Sequence, residues 1–263
     1  MKNQRKIFIG ALIFVVYCTI IFLSNYFMSI GEKSGDEKYE MLSGILFGFI
    51  GIPVFSIILP LFLANKWKLD YSLWPKSKKS WHVIAFIALY IILTNYQSIK
   101  VVLATEYGFT DYIVHYLSAM LFHVTYYPLF VIFIFPLIRS NYGLWAGVIT
   151  VSLLFALYHL IQYHFFPAGT TLQMQILLFT AFLFNILIYL WSESVILVAL
   201  LHSTNGAIGL ISNGTIFNEA DFMFFLTIII VFSLFTYYVF KEIKQRRTKE
   251  YNRDWWIQIK TIR

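Results

Sequence analysis

Residues 152–159, SLLFALYH, place a histidine near the end of an apolar run that extends from residue 144 to residue 163. About 20 apolar residues in a helix cross the hydrocarbon core of a bilayer. This run is therefore read as a membrane-spanning helix. An imidazole inside such a helix is costly unless it is paired or working, which makes His159 a functional-site candidate. A second apolar run, holding LLHSTNGAIG at residues 200–209, repeats the situation with His202.

Outward from these two runs the chain is of one kind. Hydrophobic residues make up 59% of the 263 positions and charged residues only 13%, where a soluble domain carries roughly a quarter. So few charges cannot cover the surface of a soluble fold, and lipid is the expected solvent. Eight runs are long enough to span: 7–30, 41–64, 81–98, 112–138, 144–163, 171–191, 194–212 and 220–242. The expected fold is all-α, a polytopic transmembrane bundle of about eight helices. It divides into N-terminal transmembrane helices at 1–111, a core at 112–212, and a last transmembrane helix with a basic tail at 213–263. The run 7–30 exceeds a signal-peptide core and no small-residue cleavage site closes it, so it too reads as a spanning helix.

Basic residues orient the bundle. With the N-terminus inside, only Lys33, Lys38 and Lys100 fall outside, which leaves 17 of the 20 Lys and Arg on the cytoplasmic side. The expected topology is thus N-in, C-in. Trp67, Trp74, Trp81, Trp145, Trp191, Trp255 and Trp256 all fall at or near expected cytoplasmic helix ends, where an indole prefers to sit. The net charge of +7 then belongs to a membrane surface rather than to nucleic acid, with the basic tail on anionic headgroups. Cys18, the one cysteine, reads as packing. Gly44, Gly48 and Gly51 form a small-residue stripe on which a neighbouring helix can approach. Pro53, Pro60, Pro128 and Pro136 mark helices that kink.

The polar residues inside the runs carry the chemistry. His202 and Asn205 are three apart and share a helix face. An amide there can fix a histidine tautomer or hold an oxyanion. His115, His164 and His82 fall toward helix ends and are set aside. Glu193 opens the seventh run, where a carboxylate complements the helix dipole, and capping is its expected role.

The stretch FPLIRSNYGLWAGVITVSLLFALYHL, followed by SESVILVALLHSTNGAIGL, resembles the CPBP family of CAAX proteases and bacteriocin-processing or immunity proteins. The resemblance covers about residues 120–212. It implies a bacterial plasma-membrane protein with the fold of an intramembrane endopeptidase. In that family a Glu-Glu-x-x-x-Arg motif precedes Phe-x-x-x-His and His-x-x-x-Asn motifs on later helices, and a glutamate activates water. Phe155 and His159 match the second motif and His202 the third. Asn205 sits one residue early, with Gly206 at the usual position. Counting back from Pro136 puts Tyr126 and Tyr127 where the glutamates belong, and Val131 where the arginine belongs.

The chain holds no Asp or Glu between Asp111 and Glu193. A tyrosine, with an ordinary pKa near 10, is no base at neutral pH. The expectation is therefore a CPBP-like protein without the family's chemistry. It would be a regulator or scaffold holding a membrane protein or a lipidated peptide in a former substrate cavity lined by His123, Tyr126, Tyr127 and Phe155. Its family-equivalent catalytic positions are His159, His202 and Asn205. No cofactor and no metal are assigned, and membrane lipid is the other partner. An alternative is an active enzyme with a rearranged site, in which His123 joins His159 and His202 on zinc. Depth argues mildly against that set, because His202 falls near mid-membrane and His159 about 8 Å nearer the outside at 1.5 Å per residue. A small transporter is a third reading. It has neither an inverted repeat nor an intramembrane carboxylate to support it.

Overall fold

The computed structural model describes residues 2–75, 80–94, 114, 117–118, 121, 124–162, 164, 172–211, 229–230, 232–238 and 240–241. Among them all regular structure is helical. Helix α1 is Lys2–Ser34, α2 is Glu37–Lys66 and α3 is Ser80–Thr94. Then come α4, Pro128–Tyr142, α5, Leu144–Gln162, α6, Leu172–Ser192, and α7, Val195–Ile211. Residues 232–238 are helical as well. Four stretches, Gln4–Ser34, Glu37–Lys66, Leu144–Gln162 and Gln175–Ser192, are long and apolar enough to cross a membrane.

The distribution of apolar side chains is what a lipid-facing protein needs. Phe8, Phe49 and Leu172 are each more than two-thirds exposed. Ser24, Ser56, Ser152, His159 and Asn185 are buried. Large apolar patches on the outside and hydrogen-bonded polar groups on the inside reverse the usual soluble arrangement.

Helices α1 and α2 form an antiparallel hairpin. Gly35 supplies the left-handed turn at φ +69°. Asp36 then caps α2, its carboxylate accepting from the Lys38 N–H at 3.0 Å. Ser24 of α1 bonds Ser43 of α2 at 3.0 Å, and Gly51 packs on Ile20 and Ile21. Of the expected glycine stripe only Gly51 makes this approach. A Cβ on Gly44 or Gly48 would meet no described atom within 4 Å. Toward α1, the contacting face of α2 is set by Ser43 and Gly51, eight residues apart.

The prolines act through winding. Ile45–Ile58, with Pro53 inside, is π-helical, and the Leu59 N–H reaches back to the Val54 carbonyl. Pro128–Ile134 is wound the same way, and there Phe135 reaches Phe130. Each wide stretch meets a residue that has no N–H to give, and such windings recur at functional sites. The two are joined, since Ser56 Oγ donates to the Thr125 carbonyl at 2.6 Å. That bond fixes the backbone beside Tyr126.

Two expected boundaries move. Helix α4 continues past residue 138 to Tyr142, where Gly143 at φ +93° closes it on the Arg139 carbonyl. Glu193 does not cap α7. It sits left-handed at φ +52°, and its N–H closes α6 on the Tyr189 carbonyl at 2.7 Å. The cap of α7 is Ser194, whose hydroxyl accepts from the Leu197 N–H at 3.3 Å. A serine hydroxyl reaches the N3 amide in a geometry that the preceding residue cannot adopt. The basic tail, with Trp255 and Trp256, lies outside the described residues.

Candidate functional site

Tyr126 is the centre around which the histidines gather. It stands just ahead of α4 and is 2% exposed. Its ring meets His202 of α7 edge-on, 5.7 Å between centroids, and His159 of α5 at 6.2 Å. Phe155, one turn before His159 on α5, lies 4.2 Å from the His159 ring and 5.9 Å from the His202 ring. Tyr127 is 5.9 Å from His202 and its hydroxyl donates to the Val198 carbonyl of α7 at 3.3 Å. The spacing of Phe155 and His159 puts both on one face of α5, and α4 and α7 close over that face. The expected depth offset does not keep the two histidines apart, since both pack on Tyr126 and on Phe155.

Aromatic packing buries Tyr126, Tyr127, Phe155 and His159 and leaves His202 partly buried. Phe155 stacks on Phe182 of α6 at 3.9 Å with 17° between planes. Tyr158 packs edge-on against His159 at 4.9 Å. On its other side it stacks on Tyr17 of α1 at 5.4 Å, with the two hydroxyls 3.5 Å apart. Five helices or their approaches thus supply rings to one dry core.

Hydrogen bonds set the polarity of each imidazole. His159 Nδ1 lies 3.0 Å from the Phe155 carbonyl. A carbonyl only accepts, so Nδ1 carries the hydrogen, and in the neutral ring Nε2 keeps the lone pair. His202 is the reverse. The Asn185 amide nitrogen lies 2.9 Å from its Nδ1. That nitrogen donates, so Nδ1 accepts and the hydrogen sits on Nε2, 3.2 Å from the Tyr126 hydroxyl. One histidine offers a lone pair and the other a hydrogen. Next to His202, the Ser203 hydroxyl is buried without a hydrogen-bond partner among the described residues.

Asn185 is the residue that sequence reasoning missed. It was legible as the one amide deep inside the apolar run 171–191, beyond Gln173 and Gln175 near its start, where an unpartnered polar group is costly. Asn205, expected as the partner, lies in α7, but its side chain is outside the described residues, as is His123. His82 and His164 are exposed. Among the described residues no group of three His, Cys, Asp or Glu side chains is placed to hold a metal. In comparisons with family models, curated proteins and solved structures, the chain matches none.

Proposed function

We propose that this chain is a noncatalytic, CPBP-like integral membrane protein of the bacterial plasma membrane, N-in and C-in. It acts as a regulator or scaffold that holds another membrane protein or a lipidated peptide. The observation that carries this reading is the contact of the Tyr126 hydroxyl with His202 Nε2 at 3.2 Å. At the place where the family resemblance puts a water-activating carboxylate, this chain has a phenol that receives a hydrogen from an imidazole. The phenol, with an ordinary pKa near 10, is no base at neutral pH, and no carboxylate stands among the described residues beside the imidazole to replace the family's glutamate. His159 itself is only 5% exposed. An apolar groove of about 320 Å³ between α1 and α5, lined by Phe14, Cys18, Phe22, Leu157 and Ile161, offers an acyl or prenyl chain a seat on the face of α5 turned away from His159, apart from the expected cavity at Tyr126, Tyr127 and Phe155.

The test is a cleavage assay with fluorogenic lipopeptides in detergent. It compares wild type with His159→Ala and with the double variant Tyr126→Glu/Tyr127→Glu. The expected result is no cleavage by wild type, together with saturable photo-crosslinking of a prenylated peptide. Cleavage by wild type that disappears in His159→Ala would overturn the noncatalytic reading.

A further inference from the structure

At the end of the bundle where α1 begins, a cavity of about 470 Å³ opens between the start of α1, the end of α2 and the last turn of α4. Its size is that of a small-ligand site. Its lining includes three cations, Lys6, Lys68 and Arg139, against one carboxylate, Asp70. The Lys6 ammonium stands 5.6 Å over the Trp67 ring at the same mouth. Asn141 contributes an amide whose nitrogen is already held by the Leu137 carbonyl at 2.7 Å.

The backbone at Lys68 is the second observation. Helix α2 ends in a Schellman turn: the Leu69 N–H bonds the Ala64 carbonyl at 2.9 Å and the Lys68 N–H bonds the Asn65 carbonyl at 3.1 Å. The residue between them must be left-handed, and glycine takes that conformation without strain. Here the position is held by Lys68, at φ +53°. Strained non-glycine residues cluster at ligand sites, and the side chain of this one lines the cavity. On the opposite wall, Gly147 lets α5 approach Arg139 closely: a Cβ there would stand 3.2 Å from the Arg139 Cβ and backbone nitrogen. Both cations are thus carried on backbone that is fixed rather than on a free loop.

We propose that this cavity binds a phosphate group, held by Lys6, Lys68 and Arg139, with Asp70 setting an upper limit on affinity. Arginine meets phosphate with a planar fork and lysine with a point charge, so the pair suits a tetrahedral oxyanion. The phosphate belongs either to an anionic lipid headgroup or to a soluble phosphate compound.

The experiment titrates the full chain in neutral-detergent micelles, by calorimetry, with two probes: a short-chain phosphatidylglycerol and inorganic phosphate. Wild type is expected to bind at least one of them saturably. Lys68→Gly should weaken that binding about tenfold, the scale of one charge-assisted contact, and Asp70→Asn should tighten it. The thermal midpoint of Lys68→Gly should equal or exceed that of wild type, because glycine relieves the left-handed turn, so weaker binding there is not a folding defect. Arg139→Gln is read in the same way. Binding of both probes assigns recognition to the phosphate itself. Binding of the lipid alone assigns it to a headgroup, and binding of phosphate alone to a soluble compound. Failure of wild type to bind either probe, or equal binding by Lys68→Gly and Arg139→Gln, overturns the proposal.

Discussion

Tyr126 and His202 meet hydroxyl to Nε2 at 3.2 Å. The opposite nitrogen of the same imidazole is held by Asn185 at 2.9 Å. With the amide nitrogen toward Nδ1, the ring accepts there and presents its Nε2 hydrogen to Tyr126. The site's electrostatics therefore turn on an amide and a phenol rather than on a carboxylate.

Replacing Tyr126 with phenylalanine keeps the ring contacts to Phe155 and His159 and removes the oxygen that receives the His202 hydrogen. A buried donor that loses its acceptor costs about 1–3 kcal/mol. Tyr126→Phe should lower the thermal unfolding midpoint in detergent, while Tyr142→Phe, at an exposed position, leaves it unchanged. Equal midpoints for the two variants would falsify the pairing.

Asn185 controls the tautomer. In wild type, nitrogen-15 spectra of labelled histidine should show His202 with its hydrogen on Nε2. Asn185→Asp replaces the donor with an acceptor, so Nδ1 must then carry hydrogen, and the signal should move to the Nδ1–H tautomer or to imidazolium. Asn185→Leu should retain the fold at a cost of about 1–3 kcal/mol. An unchanged His202 spectrum in Asn185→Asp would mean that the amide is not its partner.

The apolar runs predict the helical class and helices long enough to cross a membrane, four of which the described residues show, because run length reports on spanning helices. That His159, His202, Tyr126 and Tyr127 pack together came from the fold. Nor did the sequence reveal that Asn185 bonds His202. Asn205 is three residues away on the same helix and was visible by spacing alone. Asn185 reaches His202 only because α6 and α7 fold back on each other, and that is a tertiary fact. The glycine stripe shows the same limit: small residues permit close approach, but the partner helix decides which is used, and against α1 it is Gly51. Glu193 was read as a cap from its charge, whereas the backbone there is left-handed and Ser194 holds the geometry.

Phe155 is the mechanical centre of the cluster. It is fully buried, stacked on Phe182 and packed on His159. Phe155→Ala leaves a cavity under both histidines and should cost about 3–5 kcal/mol. Phe155→Leu should retain more of that stability. The measurement is the midpoint of denaturant-induced unfolding in mixed micelles, and a loss under about 1 kcal/mol in Phe155→Ala would place the packing centre elsewhere.

The glycines separate close packing from mere helix composition. A Cβ on Gly147 would stand 3.2 Å from Arg139 and Phe135 atoms, tighter than ordinary van der Waals contact, and two of those neighbours are atoms at or next to the backbone. Gly147→Ala must therefore push α5 away from α4 or distort the α4 terminus, and it should destabilise the protein. Gly44 has no described neighbour within 4 Å, so Gly44→Ala only removes backbone freedom and should stabilise the helix by about 0.5–1 kcal/mol. Both variants change one hydrogen to a methyl, so opposite shifts in unfolding midpoint follow from location alone. Shifts of the same sign would mean that helix propensity, not the α4–α5 approach, governs Gly147.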